Sequence, residues 1–161
     1  MADLGYIYLT SEGKRKMIEQ RDHLLNVERP RIIAEISRAR DLGDLSENAE
    51  YHAAKEKQVH LERKLSELEE KLPRVRLIDP ASVQGDRAVL LAFVRVRDRK
   101  TGEEIRYQLV SPEEADFDED RISVQAPVGR ALLGKSKGDV VKIQVPAGAL
   151  TYEILAIERP E

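Results

Sequence analysis

Residues 42–51 read LGDLSENAEY and lie between two stretches whose apolar residues recur at helical spacing. Gly43 is placed to supply a left-handed residue that ends the first helix. Asp44 is then the expected N-cap of the second, and Glu47, three residues later, completes a capping-box-like pair. Glu50 falls in the early helix, where the helix dipole favours an acid. The segment therefore reads as a tight turn between two helices. It also concentrates Asp44, Glu47 and Glu50 within seven positions, with Asp41 just upstream.

Working backwards, Thr10 is a candidate N-cap with Glu12 in the first turn. Met17, Ile18, Leu24, Leu25, Ile32, Ile33, Ile36 and Ala39 follow at helical spacing. Pro30 lacks an N–H and its ring crowds the preceding turn, so a kink or short break is expected near Arg29. Working forwards, Tyr51, Ala54, Gln58, Leu61, Leu65, Leu68 and Leu72 alternate in steps of three and four, a heptad seam that Pro73 ends. Two such helices joined by a short turn are antiparallel neighbours, which makes a coiled-coil hairpin. Arms of roughly 30 residues reach about 45 Å.

After RLIDPASVQGD the period changes to two. Residues 88–97 and 104–110 flank a Lys-Thr-Gly turn and read as a β-hairpin. An acidic loop, SPEEADFDED, leads to a strand in RISVQAP and a short helix, VGRALLGK, stopped at Gly134. DVVKIQV and LTYEILAIE, joined by PAGA, make a second hairpin. The expected fold class is α+β: an antiparallel coiled-coil hairpin over 1–77 with its acidic tip near 41–50, a linker over 78–87, and an antiparallel sheet domain with one short helix over 88–161.

Composition narrows the function. The net charge is −3, from 27 Lys and Arg against 30 Asp and Glu, so tight binding to a phosphate backbone by the whole surface is disfavoured. Five tyrosines, two phenylalanines and no tryptophan leave few platforms for stacking bases. The absence of cysteine removes disulfides and thiolate metal sites. No apolar run approaches the roughly 18 residues of a membrane span, and MADLGYIYLT lacks the features of a signal peptide, so a cytoplasmic protein without membrane contact is expected. His23, His52 and His60 show no paired-ligand spacing, and Gly129, Gly134 and Gly138 match no phosphate-binding loop.

The tip acids suggest a particular chemistry. Carboxylates are the hard oxygen ligands that Mg²⁺ takes, yet two of them in open solvent hold it poorly. Placed beside a phosphodiester in another protein's active site, they would complete a second metal site and orient a water for in-line attack.

GDLSENAEYHAAKEKQ, with LTSEGKRKM and RPRIIAEISRAR before it, resembles the coiled coil of bacterial transcript cleavage factors of the GreA/GreB family. EEADFDEDRISVQAPVGRALLGKSKGDVV is similar to that family's C-terminal FKBP-like domain, and the likeness runs from about Leu9 to Ile157. The resemblance implies a factor that is not itself an enzyme. It would dock on bacterial RNA polymerase by its C-terminal domain, insert the hairpin into the secondary channel, and stimulate the polymerase to cleave the nascent RNA 3′ end in backtracked complexes. Asp44 and Glu47 match the residues that help hold the second catalytic Mg²⁺ there, with none held by the isolated protein. Ser46, Asn48, Glu50 and Tyr51 match as supporting tip residues. A basic face of Arg38, Arg40 and Lys55, with Lys57 and Arg63, is the candidate RNA contact, offset by Glu35, Glu56 and Glu62. Its modest charge leans toward the GreA type. Ser123, Pro127 and Gly129, with the neighbouring acidic loop, are the candidate docking contacts. Phe93, Tyr107, Phe117 and Tyr152 are too few aromatics for a prolyl-isomerase pocket. A monomer is expected. Leu42 stands where the family commonly has histidine. The alternative function is that of a paralogue which binds the channel and inhibits, and a third is a chaperone or scaffold.

Overall fold

The computed structural model describes residues 5–43 and 48–160. Asp44, Leu45, Ser46 and Glu47 lie outside the described residues, and so do the roles expected of Asp44, Ser46 and Glu47. The chain divides into two compact units. One comprises residues 1–7 and 14–76, the other residues 8–13 and 77–161.

The first unit is helical. After β1 (Ile7–Leu9), helix α1 (Ser11–His23) continues through a π-helical turn at Leu24–Glu28 into α2 (Arg29–Arg40). Thr10 caps α1 as expected, its Oγ1 accepting from the Gly13 N–H at 3.1 Å. The break expected at Pro30 is the π turn, in which the Arg29 N–H donates to the Leu24 carbonyl, five residues back. Widening the turn just ahead of the proline relieves the collision its ring would otherwise make with the previous turn.

Helix α3 (Ala49–Lys71) returns beside α2. Ile32, Ile36, Ala54 and Leu61 are buried together, with Leu24 and Tyr51 packed on them. Leu65 and Leu68 continue the seam as buried residues, as the heptad reading requires. Ile33 is instead 51% exposed. It follows Ile32 by about 100° around the helix, which turns it off the seam. Ion pairs bracket the packing. Arg29 grips Glu62 with two hydrogen bonds of 2.9 and 2.7 Å, and Lys57 pairs with Glu35 at 3.1 Å.

The second unit contains a five-stranded sheet. After β2 (Val75–Leu77), which pairs with β1, its strands are β3 (Phe93–Asp98), β4 (Glu104–Val110), β5 (Arg121–Ser123), β6 (Val140–Val145) and β7 (Gly148–Glu158), in the order β5-β4-β3-β7-β6. Helix α4 (Pro127–Leu132) follows β5. The inner faces bury Val94, Val96, Leu109, Leu132, Ile143, Tyr152 and Ile154 in one core. The α+β class is therefore as expected, with two refinements. The sheet is mixed, because β5 runs parallel to β4 while β3/β4, β3/β7 and β6/β7 are antiparallel. Residues 88–92 are not strand: Leu91 has φ +75°, and its N–H donates to the Leu109 carbonyl at 2.7 Å from within a buried turn. A run of apolar residues looks the same in a buried turn as in a strand.

Candidate functional site: the end of the hairpin

Helix α2 ends with the Leu42 N–H donating to the Ala39 carbonyl at 3.1 Å, and Gly43 follows at φ +124°, a value that favours glycine. Leu42, where the resembling family commonly has histidine, is 68% exposed.

On the other side, the cap of α3 is Asn48, which corrects the expectation that Asp44 would cap it. Asn48 has extended backbone angles, and its Oδ1 accepts from the Tyr51 N–H at 3.0 Å. The helix consequently begins at Ala49, later than the GDLSE spacing suggested, because asparagine caps as well as aspartate and stands nearer the first buried seam residue. The same side chain reaches back to the first arm: Asn48 Nδ2 donates to the Ala39 carbonyl at 2.5 Å. That carbonyl already accepts from the Leu42 N–H at the end of α2, so the Asn48 amide is a further donor to it, from the second arm. One amide therefore meets a donor at the start of α3 and an acceptor at the end of α2. Asn48 thus joins the two described flanks of the segment whose sequence carries Asp44 and Glu47.

Glu50 is exposed in the first turn of α3, and Tyr51 is half-buried against the hairpin core with its ring edge-on to His52. Behind the tip, two open grooves run along the hairpin. The first, about 660 Å³, is lined by Glu35, Arg38, Asp41, Leu42, Glu50 and Lys57 among others. The second, about 350 Å³, is lined by Ile33, Ile36, Ser37, Arg40, Lys55 and Gln58. The candidate RNA-contact residues are therefore divided. Arg40 and Lys55 line one groove and Arg38 the other, since positions two apart on a helix point about 200° apart. The first groove mixes three acids with two cations, and Lys57 is engaged by Glu35. In the second, Arg40 and Lys55 are the only charged residues among the described residues lining it, beside Ile33, Ile36, Ser37 and Gln58.

In the sheet unit, Pro127 opens α4 and is exposed, Ser123 is half-buried at the end of β5, and Gly129 is buried. A Cβ on Gly129 would stand 1.9 Å from the Ser123 carbonyl oxygen, so glycine is required there for α4 to approach β5. The four aromatics do not form a shared pocket. Tyr107 and Tyr152 meet at 3.4 Å between hydroxyls, Phe93 lies under the Arg106 guanidinium, and Phe117 is 89% exposed. Burial, then the hydroxyl contact with Tyr152, holds the Tyr107 phenol above its ordinary range. Among the described residues no helix is long and apolar enough to cross a membrane.

The model of the transcription elongation factor N-terminal domain matches residues 7–77, and that of the GreA/GreB C-terminal domain matches residues 83–159. The chain is 48% identical over 151 residues to transcription elongation factor GreA of Thermodesulfovibrio yellowstonii, covering 94% of this chain and 96% of that one. It is 45% identical over 150 residues to the GreA of Phenylobacterium zucineum (93% and 96% covered). With the GreA of Prosthecochloris aestuarii it shares 48% over 153 residues (94% and 96% covered). Two antiparallel helices joined by Asn48, a mixed sheet with a short helix, and these matches over both halves agree: the chain belongs to the GreA/GreB family of transcription elongation factors.

Proposed function

We propose that this factor stimulates RNA polymerase to cleave the 3′ end of nascent RNA in backtracked complexes, acting through the end of its hairpin. The observation that supports the reading is the Asn48 clasp, which joins Ala39 to the start of α3, the two described flanks of the segment whose sequence carries the two acids. A sequence that concentrates carboxylates between two joined helices suits delivery into a site built by another protein. Asp44 and Glu47 are the residues that would hold Mg²⁺. Their hard oxygens suit the ion, and two carboxylates leave the remainder of a near-octahedral shell to polymerase groups, water and RNA phosphate. Bound there, the metal supplies charge neutralisation of the attacked phosphodiester and a more acidic water.

The remaining parts follow from the chain's own residues. Asn48 sets the flank of the acidic segment, and Glu50 adds negative charge at the start of α3. The groove of Arg40 and Lys55 is the better candidate of the two for a path of RNA, because its cations are not offset by acids among the lining residues. Docking is assigned to the surface of half-buried Ser123 and exposed Pro127, with Gly129 holding α4 close to β5.

Stalled elongation complexes incubated with the protein should release short 3′ RNA fragments. Asp44→Asn combined with Glu47→Gln should abolish that release while leaving binding to polymerase intact. Fragment release unaffected by the double substitution would sink the mechanism. Slower RNA synthesis without cleavage, insensitive to the substitution, would instead identify an inhibitor.

A further inference from the structure

The acidic loop at 111–120 does not behave as one surface. Asp116, Phe117, Asp118, Glu119 and Asp120 are exposed, whereas Glu114 is 8% exposed and turns inward. Its carboxylate accepts from the Thr10 N–H at 3.1 Å and from the Thr10 hydroxyl at 2.7 Å, and pairs with Arg121 at 3.2 Å. Ser111, also buried, donates its hydroxyl to the Tyr8 carbonyl at 2.7 Å. Gly13 completes the arrangement, because a Cβ there would stand 2.5 Å from Glu114 Oε1. All of these residues belong to the sheet unit, although Tyr8–Gly13 precede it in sequence by more than sixty residues. The held segment is the start of α1, which continues as the first arm of the hairpin.

A buried carboxylate is costly unless its charge is matched, and here a guanidinium, a hydroxyl and a backbone N–H match it. An apolar residue would anchor the segment without that cost. What the carboxylate adds is direction: its oxygens accept from the backbone and the side chain of the same residue, which sets the position of Thr10 and the start of the helix it caps.

We propose that Glu114 is a positioning residue, a buried carboxylate clasp within the sheet unit that fixes Thr10 and the first turn of the helix it caps. The cleavage arm of its test rests on the function proposed above. In a Glu114→Gln variant the Thr10 amide should exchange its hydrogen roughly tenfold faster or more, through loss of a charge-assisted bond, with the amides of β3 and β7 unchanged. With backtracked complexes, the maximal rate of RNA cleavage should fall at least several-fold while the protein concentration giving half that rate stays the same. Thr10→Ser, which keeps hydroxyl and N–H, should behave as wild type.

Gly13→Ala separates the clasp from ordinary helix stability and covers the case in which Glu114→Gln misfolds. Alanine is the better helix former, yet its methyl group meets the carboxylate, so Thr10 exchange should rise although helix propensity improves. Unchanged Thr10 exchange in both variants overturns the clasp. Faster exchange with an unchanged maximal rate, or with a raised half-saturating concentration alone, overturns the positioning role. If wild type stimulates no cleavage, the proposed function falls, and amide exchange alone decides whether the clasp exists.

Discussion

Asn48 and Ala39 are nine residues apart in sequence and 2.5 Å apart in space, joined by the side-chain amide of one and the carbonyl of the other. This bond crosses between the arms at the end of the hairpin, and the same side chain caps the returning helix. The two functions can be separated by substitution.

Asn48→Ala removes both bonds. It should cost about 1 kcal/mol for the lost cap and about 1 kcal/mol more for the lost bond to Ala39. The Tyr51 amide should exchange faster, and RNA cleavage should weaken. Asn48→Asp keeps an acceptor for the Tyr51 N–H but turns a second oxygen toward the Ala39 carbonyl. Its helix content should stay near wild type while cleavage falls. If cleavage follows helix content alone through both variants, the bond to Ala39 does nothing beyond capping.

The hairpin was legible in the sequence because its signals are local. A heptad of Ala54, Leu61, Leu65 and Leu68 specifies a buried seam wherever the helix occurs, and Pro30 announces an irregularity from its ring alone. The cap falls elsewhere than the spacing suggests because GDLSEN offers three good capping residues, Asp44, Ser46 and Asn48, and local propensity does not rank them. The choice of Asn48 coincides with a contact across the hairpin, to Ala39, which no window of sequence contains. The sequence shows Glu114 only as part of an acidic loop for a similar reason: its partner Thr10 is more than a hundred residues away, and residues 115–120 after it are exposed. The division of Arg38 from Arg40 and Lys55 was readable from helical periodicity, which places residues two apart on opposite sides.

Gly129→Ala tests the approach of α4 to β5. The new methyl group would meet backbone atoms of Ser123, which cannot rotate aside as a side chain can. Overpacking of this kind typically costs about 1–3 kcal/mol. The sheet unit should melt several degrees lower, and affinity for polymerase should fall. An unchanged melting temperature would contradict the contact described here.

Tyr107 gives the sheet unit an alkaline limit. Burial and the Tyr152 hydroxyl keep its phenol protonated above the ordinary value of 10.0. A folded-state pKa above the unfolded one contributes stability that is present below the unfolded value and lost as pH rises toward the folded one. Stability should therefore decline above about pH 10, by less than the limiting ~1.4 kcal/mol per pH unit because the ring is only half-buried. In Tyr107→Phe, denaturant titrations at pH 9 and 11 should show a smaller difference than in wild type. An equal difference in both proteins would assign the alkaline loss to other groups.

The two grooves make different predictions about charge. Arg40 and Lys55 are the charged residues lining the second groove, whereas Arg38 shares the first with Glu35, Asp41 and Glu50. RNA drawn along the hairpin should therefore be sensitive to Arg40→Ala and Lys55→Ala and much less so to Arg38→Ala. For a single strand, each phosphate contact contributes about 0.7 to the slope of log affinity against log salt concentration. Removing both Arg40 and Lys55 should lower the salt slope of RNA-dependent cleavage by roughly 1.4 if each meets one phosphate. All three positions are exposed on helices, so the substitutions should leave thermal stability within about 0.5 kcal/mol of wild type. Crosslinking from the RNA 3′ segment to residue 40 or 55, and not to residue 38, would agree with the slope measurement. A larger slope change for Arg38→Ala would move the RNA to the first groove.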